Sequence, residues 1–251
     1  MIIDFHTHLD EGLETQMKKS KVDRAILLMP MTRDIYTPNE RVIYLTREEV
    51  LSGNESVITA SNNSNKYIPF AWLNHKIPNV VEKLEDYVQR GFKGLKLHPI
   101  LDHYNLLNPK IEPIIDTATH LRIPIMIHTG WGPNGSVKDV GELAEEYTDA
   151  KFIIAHMKEE WGVNRRLSHI KIASKHDNVW LECSYAEHPR RIAQAVEQLG
   201  SDRILFGSDF PFDGGIDWAM TKVTFAPITE EDKRKILGEN ALQLLNLEST
   251  F

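Results

Sequence analysis

The stretch Met1-Ile2-Ile3-Asp4-Phe5-His6-Thr7-His8-Leu9 begins with apolar, β-prone residues and contains two histidines that are two positions apart. Side chains in a strand alternate between its two faces, so His6 and His8 are predicted to project to the same side. Two imidazoles side by side at the end of a strand can chelate one metal ion. An isolated His-x-His pair is more often incidental, so this pair needs partners elsewhere in the chain.

Later segments repeat this arrangement of an apolar run that ends in a polar, metal-ligating residue. The runs are Gly94-Leu95-Lys96-Leu97-His98-Pro99, Ile123-Pro124-Ile125-Met126-Ile127-His128-Thr129-Gly130, Lys151-Phe152-Ile153-Ile154-Ala155-His156 and Arg203-Ile204-Leu205-Phe206-Gly207-Ser208-Asp209. Further strand-like runs cover 24–30, 67–73 and 179–183. Helical patterns at about 39–60, 79–90, 109–120, 137–147, 164–176, 189–199 and 229–246 alternate with the strands.

Eight strand-like segments that alternate with helices within 251 residues are typical of a (β/α)8 TIM barrel, which is an α/β fold. An open doubly wound sheet is the alternative, but no glycine-rich dinucleotide loop follows the first strand. The chain has neither a low-complexity linker nor signs of a second domain. We therefore expect residues 1–251 to form one TIM-barrel domain.

Composition narrows the choice of partners. The formal net charge is −7 and the sequence pI is about 5.9, which leaves no basic surface for nucleic acid. The single cysteine, Cys183, cannot form an internal disulfide and is assigned to packing. No run approaches the roughly 20 apolar residues of a membrane span, and the N-terminus lacks the features of a signal peptide. We expect a cytoplasmic protein with a small-molecule substrate and no membrane partner, and a homo-oligomer stays open.

The polar residues at the strand ends form the specific signal in this sequence. Active sites of TIM barrels are assembled at the C-terminal ends of the strands, where this chain places His6, His8, His98, His128, His156 and Asp209. Imidazole nitrogens and a carboxylate oxygen suit one divalent metal ion, with Zn²⁺ favoured and Mn²⁺ or Fe²⁺ as alternatives. Such an ion activates water or polarises a carbonyl, and Asp209 can take a proton from metal-bound water and return it to a leaving group.

Five motifs in order along the chain resemble those of the amidohydrolase superfamily, and specifically the branch of aminocarboxymuconate-semialdehyde decarboxylase and its relatives. They are Asp4-Phe5-His6-Thr7-His8, Gly91-Phe92-Lys93-Gly94-Leu95-Lys96-Leu97-His98-Pro99, Ile127-His128-Thr129-Gly130, Ala155-His156 and Phe206-Gly207-Ser208-Asp209-Phe210-Pro211-Phe212. This resemblance implies one metal ion held by His6, His8, His128 and Asp209. It also implies that His156 hydrogen-bonds metal-bound water or substrate, with Asp209 and His156 as the catalytic residues.

Two residues on the fourth strand are candidates for substrate binding. His98 either lines the substrate pocket or stacks under Pro99. Lys96 shares a strand face with His98. In some branches of the superfamily a carboxylated lysine on this strand bridges two metals, whereas the alternative is an inward lysine paired with a carboxylate such as Asp4 or Glu182.

The loops beyond strands five and six supply two further candidates for substrate binding. Trp131 could wall the pocket against water, although packing within its loop is the ordinary role of such a residue. Arg165 could grip a substrate carboxylate, and exposure to solvent is its alternative. Glu182 and Ser184 on strand seven are candidates for pocket contacts, with hydrogen-bond satisfaction in the core as the default. Asp4 is expected to support the strand rather than to bind metal directly.

The leading functional hypothesis is a metal-dependent hydrolase of a small, carboxylate-bearing molecule that uses metal-activated water. The alternative is a metal-dependent decarboxylase that uses the same site, because the superfamily branch contains both kinds of enzyme. A third reading is a metal-binding or ligand-binding barrel without turnover. It is disfavoured because such a protein has no physical need for this set of histidines and aspartate.

Overall fold

Eight parallel strands form the centre of the molecule. The computed structural model describes residues 1–31, 45–130, 134–157 and 168–247. The strands are β1 (Ile3–His8), β2 (Arg24–Leu28), β3 (Tyr67–Trp72), β4 (Gly94–Leu97), β5 (Ile125–His128), β6 (Phe152–Ala155), β7 (Val179–Glu182) and β8 (Ile204–Leu205). Each strand pairs with the next along the chain, in the order β1 to β8. Every predicted strand is therefore present, although β8 is shorter than the predicted run.

Hydrogen bonds between β1 and the segment that follows β8 bring the two ends of the sheet together. The Phe5 N–H donates to the Phe206 carbonyl at 2.7 Å, and the His8 N–H donates to the Phe210 carbonyl at 2.8 Å. Between them, the Asp209 N–H donates to the His6 carbonyl at 2.8 Å. The sheet thus forms a nearly closed barrel, which confirms the predicted (β/α)8 fold. Closure also places Asp209 beside the histidines of β1.

Helices follow the strands and cover the outside of the barrel. They are α1 (Leu13–Ser20), α2 (Arg47–Asn62), α3 (Val80–Gln89), α4 (Glu112–His120), α5 (Val137–Glu146), α6 (Ser168–Lys175), α7 (Pro189–Leu199), α8 (Ile216–Thr224), α9 (Glu230–Arg234) and α10 (Asn240–Leu244). Among the described residues, none of these helices is long and apolar enough to cross a membrane.

Three helical segments differ from the prediction. Helix α2 begins after Thr46, whose side chain and that of Glu49 form a capping box, while residues 39–44 of the predicted helix lie outside the described ranges. Helix α8 was not predicted, although Ile216, Ala219 and Val223 are buried at helical spacing. The predicted helix at 229–246 is interrupted by a π-helical turn at Lys235–Glu239. Its Gly238 packs so closely on Met1 that a Cβ atom would collide with the Met1 carbonyl oxygen.

The buried apolar residues form two clusters. The smaller one fills the barrel and includes Phe5, Phe70 and Met126, with the rings of Phe5 and Phe70 in edge-to-face contact at 5.6 Å. The larger cluster packs the outer faces of the strands against the helices and includes Cys183. Burial raises the pKa of the Cys183 thiol to about 12, which agrees with a packing role rather than a nucleophilic one.

Candidate metal centre

His6, His8 and Asp209 form a compact group at the C-terminal end of the barrel. His6 Nε2 lies 3.2 Å from Asp209 Oδ1, and His8 Nε2 lies 3.4 Å from the same oxygen. All three residues are buried, and one ligand atom from each lies within 4.8 Å of the others. The three predicted ligands on β1 and after β8 are therefore brought together.

The hydrogen bonds behind the two imidazoles determine which nitrogen faces Asp209 without a proton. His8 Nδ1 lies 2.9 Å from the Met29 carbonyl oxygen, which can only accept, so Nδ1 carries the proton. His6 Nδ1 lies 2.9 Å from Glu182 Oε2. Burial and then the charge of Lys96 hold the pKa of His6 well below its ordinary value, which keeps its ring neutral. In this arrangement both Nε2 atoms present lone pairs to a carboxylate oxygen.

Three acceptor atoms that face one another are stabilised by a nearby cation, and the Lys96 ammonium reaches only His6 Nε2 among them, at 3.2 Å. The separations of 3.2 and 3.4 Å are longer than a typical charge-assisted hydrogen bond. They match the edge of about 3.3 Å that a tetrahedral site with metal–ligand distances of about 2.0–2.1 Å requires. The acceptors behind both imidazoles are of the kind that orients histidine ligands of metals. The residues present therefore fit a divalent metal ion.

His128, the predicted fourth ligand, is adjacent to this group without joining it. Its Nδ1 lies 2.9 Å from His156 Nε2. Its ring stacks on that of His98, with 3.8 Å between ring centroids and an interplanar angle of 17°. The compact three-residue group does not include it, so ligation by His128 stays a prediction.

His156 occupies the space between the metal-ligand group and β7. Its backbone has a φ of 70°, and that of Asp209 has a φ of 51°, both in the left-handed region that His and Asp adopt more readily than most residues. His156 Nδ1 lies 2.8 Å from Ser184 Oγ and 3.9 Å from Asp209 Oδ2. Its ring stacks against His6 at 5.0 Å. These contacts place His156 beside the metal ligands, where its predicted catalytic role stays a prediction.

Lys96 is a buried amine beside the metal ligands. Its Nζ lies 3.2 Å from His6 Nε2 and 3.5 Å from Met126 Sδ. Among the described residues, no carboxylate lies within ion-pair distance of Nζ, so the alternative in which Lys96 pairs with Asp4 or Glu182 is not formed. Asp4 instead accepts hydrogen bonds from the backbone N–H groups of His6 and Ser208, which joins β1 to the segment after β8. Burial lowers the pKa of Lys96, and the carboxylates of Asp209 and Glu182 act in the opposite direction.

His98 belongs to a stack of aromatic rings. Its ring is stacked between Trp72, at 5.0 Å and 13°, and His128. The Leu101 N–H donates to His98 Nδ1 at 3.1 Å, so the proton of the neutral ring is on Nε2. Because burial and neighbouring charges hold the pKa of His98 well below its usual range, the ring is neutral. His98 therefore has an Nε2–H that is not used in the contact with Leu101 and can donate to another group.

Asp102 binds the Trp72 ring of this stack, and its burial makes the stability of the protein depend on pH. It is 3% exposed and accepts the Trp72 indole N–H at 3.0 Å. Burial raises the pKa of Asp102 to about 7, against hydrogen bonds from Trp72 and Asn74. The folded protein thus holds this proton more tightly than the unfolded chain, whose aspartate pKa is about 3.9. Stability from protonated Asp102 is complete below about pH 4 and is lost as the pH rises through about 7.

Asp102→Asn is expected to reduce the loss of stability between pH 5 and pH 8 by on the order of a few kcal/mol. The amide is neutral at both pH values and its oxygen can still accept the Trp72 indole N–H. Urea unfolding of the wild type and variant at the two pH values measures the difference. The exposed Asp149→Asn serves as the control. Equal pH dependence in wild type and Asp102→Asn would contradict the assignment.

Sequence reasoning ranked Glu182 and Ser184 below the histidines, but both contact the candidate site. Glu182 is fully buried, its Oε2 lies 2.9 Å from His6 Nδ1, and it accepts hydrogen bonds from the Ser184 hydroxyl and the His156 backbone N–H. Burial raises its pKa, and the hydrogen bonds from Ser184 and His156 act against the shift. The alternation of side chains along β7 could have identified Glu182, because it places this residue on the inward face of the barrel. Of the remaining candidates, Trp131 and Arg165 lie outside the described residues.

Comparisons with known proteins show what this chain is similar to. A segment covering 42% of this chain is 31% identical, over 121 residues, to gamma-resorcylate decarboxylase from Polaromonas sp. strain JS666. The segment spans only 37% of that relative.

Two crystal structures are similar over nearly the full length of the chain. That of 5-carboxyvanillate decarboxylase from Sphingomonas paucimobilis has a TM-score of 0.74 at 11% identity, covering 98% of this chain and 99% of that one. That of dihydroxybenzoic acid decarboxylase from Polaromonas sp. JS666, with bound manganese and the inhibitor 2-nitroresorcinol, has a TM-score of 0.73 at 17% identity and covers 98% and 96%. At such identities the likeness concerns the fold alone. Residues 3–247 match the profile of the amidohydrolase family, and the chain belongs to that family.

Proposed function

We propose that this protein is a metal-dependent decarboxylase of a small aromatic carboxylate. The observation that carries the proposal is the juxtaposition of three features at one barrel end: the His6–His8–Asp209 group, the buried amine of Lys96 and the flat stack of Trp72 on His98. The partial likeness to gamma-resorcylate decarboxylase supports the same reaction. The proposal therefore places decarboxylation ahead of the hydrolysis that the sequence favoured.

Each feature has a role in binding and orienting such a substrate. An aromatic ring can lie against the ring stack, and Lys96 lies where its charge would attract a carboxylate. The Nε2–H of His98 can donate to a substrate oxygen. His6, His8 and Asp209 would hold the metal, with His128 as the fourth ligand. A divalent ion bound there polarises the substrate oxygens that it contacts.

Loss of CO₂ requires a proton at the carbon that loses its carboxylate. The carbon–carbon bond breaks, its electron pair stays on the ring carbon, and CO₂ leaves. Asp209 and His156 are the proposed residues for proton movement, because His156 Nδ1 lies 3.9 Å from Asp209 Oδ2. Substrate binding by Trp131 and Arg165 stays a prediction, because both residues lie outside the described ranges.

Hydrolysis is the second candidate, and the same residues favour it. Three protein ligands leave a coordination position for water in catalytic zinc sites. The free oxygen of Asp209 faces His156, so this carboxylate could take a proton during attack on a carbonyl and return it to the leaving group. The two reactions differ in whether water is a reactant.

Isotope incorporation with metal-loaded protein distinguishes the two reactions. Hydroxylated benzoates, lactones and amides are incubated with the zinc-loaded and the manganese-loaded protein, in D₂O and in ¹⁸O-labelled water. Decarboxylation predicts CO₂ release and one deuterium at the vacated ring carbon, without ¹⁸O in the aromatic product. Conversion of lactones or amides with ¹⁸O in the product acid, and no CO₂ from any benzoate, would contradict the proposal.

A further inference from the structure

At the C-terminal end of the barrel, Glu182 contacts hydrogen-bonding groups of β1 and of the residues that follow β6 and β7. Its Oε2 lies 2.9 Å from His6 Nδ1, 2.8 Å from Ser184 Oγ and 3.2 Å from the backbone nitrogen of His156. Its Oε1 accepts the backbone N–H of Ser184. The carboxylate is 0% exposed. Its surroundings therefore require a group that accepts at both oxygens.

The contacts of Glu182 determine how two imidazoles are presented. When Glu182 is ionised, His6 Nδ1 donates to it, and His6 Nε2 keeps its lone pair on the side that faces Asp209 and Lys96. The Ser184 hydroxyl gives its proton to Glu182, so its oxygen is left to accept the Nδ1–H of His156. One carboxylate thus acts on His6 directly and on His156 through Ser184.

We propose that Glu182 is a positioning residue that fixes the tautomer and orientation of His6 for metal binding and, through Ser184, those of His156. This inference rests on the metal site of the proposed function and adds the residue that prepares that site. Glu182 is not a metal ligand in this assignment, because its oxygen is at hydrogen-bond distance from the far nitrogen of His6. Carboxylates in this position orient histidine ligands and raise their basicity.

The isosteric change Glu182→Gln tests the role without creating a cavity. A side-chain amide has one oxygen and one NH₂ group, so the introduced glutamine must direct an N–H at existing donors, whichever way its amide turns. Binding of Zn²⁺ by the folded protein, measured with a competing chelator, is expected to weaken by about 10–100-fold. The matched control is Glu187→Gln, an exposed glutamate on the same loop side of β7, which should bind Zn²⁺ like the wild type.

Ser184→Ala separates the direct effect of Glu182 on His6 from its indirect effect on His156. It removes the link to His156 while the direct bond between Glu182 and His6 stays, so Zn²⁺ affinity should change by less than about 3-fold. Nitrogen-15 NMR of the histidine rings in the zinc-loaded protein should then show a change at His156 Nδ1 and none at His6. If Glu182 had a purely structural role, Glu182→Gln and Ser184→Ala would lower the Zn²⁺ affinity to a similar extent.

The wild-type NMR spectrum tests the inference even if Glu182→Gln does not fold. His6 must carry its proton on Nδ1 in the zinc-loaded protein, with Nε2 as the metal-binding nitrogen. A proton on His6 Nε2, or a folded Glu182→Gln variant with unchanged Zn²⁺ affinity, would overturn the inference. Neither readout requires a substrate, so failure of every substrate in the decarboxylation assay leaves this test intact. Failure of the wild type to bind Zn²⁺ would overturn both proposals.

Discussion

Asp209→Asn is expected to lower the affinity for the divalent metal by at least about 100-fold and to abolish turnover. Asp209 supplies the only oxygen in the three-residue group of His6, His8 and Asp209. It lies 3.2 and 3.4 Å from the two Nε2 atoms. An amide removes the negative charge that offsets a divalent ion in a buried site, and a neutral amide oxygen is a weaker ligand. Zinc and manganese content after dialysis, together with CO₂ release, measures the effect.

The control is Asp202→Asn, an exposed aspartate that pairs with Lys235 on the surface. It changes the net charge by the same amount, so any general electrostatic effect appears in both variants. Asp209→Asn with full metal content and full activity would show that the metal is held elsewhere.

Gly207→Ala is expected to reduce metal binding by about 10-fold or more and to destabilise the fold by about 1–3 kcal/mol. A Cβ atom at Gly207 would lie 2.6 Å from Cδ and 2.8 Å from Cγ of Glu182, and closer still to its Oε1. Because Glu182 is fully buried and is held by contacts with His6, Ser184 and His156, any displacement of its carboxylate breaks those contacts. The added methyl group must displace the carboxylate from His6. Metal affinity by chelator competition and stability by urea unfolding measure the two effects.

Gly141→Ala provides the control for adding a methyl group. Gly141 lies in helix α5, where a Cβ atom would first meet the flexible end of Ile172 at 3.2 Å, and alanine favours the helix. The double variant Gly207→Ala/Glu182→Ala should not recover metal affinity, because the acceptor behind His6 is then missing. Metal binding by Gly207→Ala that equals the wild type would contradict the role given to this close contact.

The barrel and the metal-ligand group were predictable because both depend on local patterns. Parallel strands all end on the same side of a barrel, so a histidine or aspartate after an apolar run is placed at that end without knowledge of long-range contacts. This reasoning placed His6, His8 and Asp209 at one end of the barrel, where the structure brings them together. It did not predict α8, whose mixture of aromatic, β-branched and glycine-flanked residues carries little helical preference.

Contacts between distant residues were not predictable in the same way. His6 and Glu182 are 176 positions apart, and nothing near either residue specifies the other. The stacking of His98 on Trp72 depends on the register of β3 and β4, in which Trp72 lies beside Lys96. Lys96 contacts His6 instead of a carboxylate for the same reason.

The reaction was the part of the function that the strand-end motifs left open. Hydrolysis and decarboxylation both use a metal that polarises oxygen atoms, and they differ in the substrate and in the source of one proton. Residues 32–44, 131–133 and 158–167 lie outside the described residues. The preference for decarboxylation therefore rests on the ring stack, Lys96 and the partial likeness to gamma-resorcylate decarboxylase.

Anomalous diffraction at the zinc absorption edge, from crystals of the zinc-loaded protein, tests the metal centre most directly. We predict one anomalous peak per chain, at about 2.0–2.2 Å from His6 Nε2, His8 Nε2 and Asp209 Oδ1. The same map shows whether His128 completes the ligand set. A peak remote from these three atoms, or two adjacent peaks bridged by Lys96, would contradict a single metal ion held by His6, His8 and Asp209.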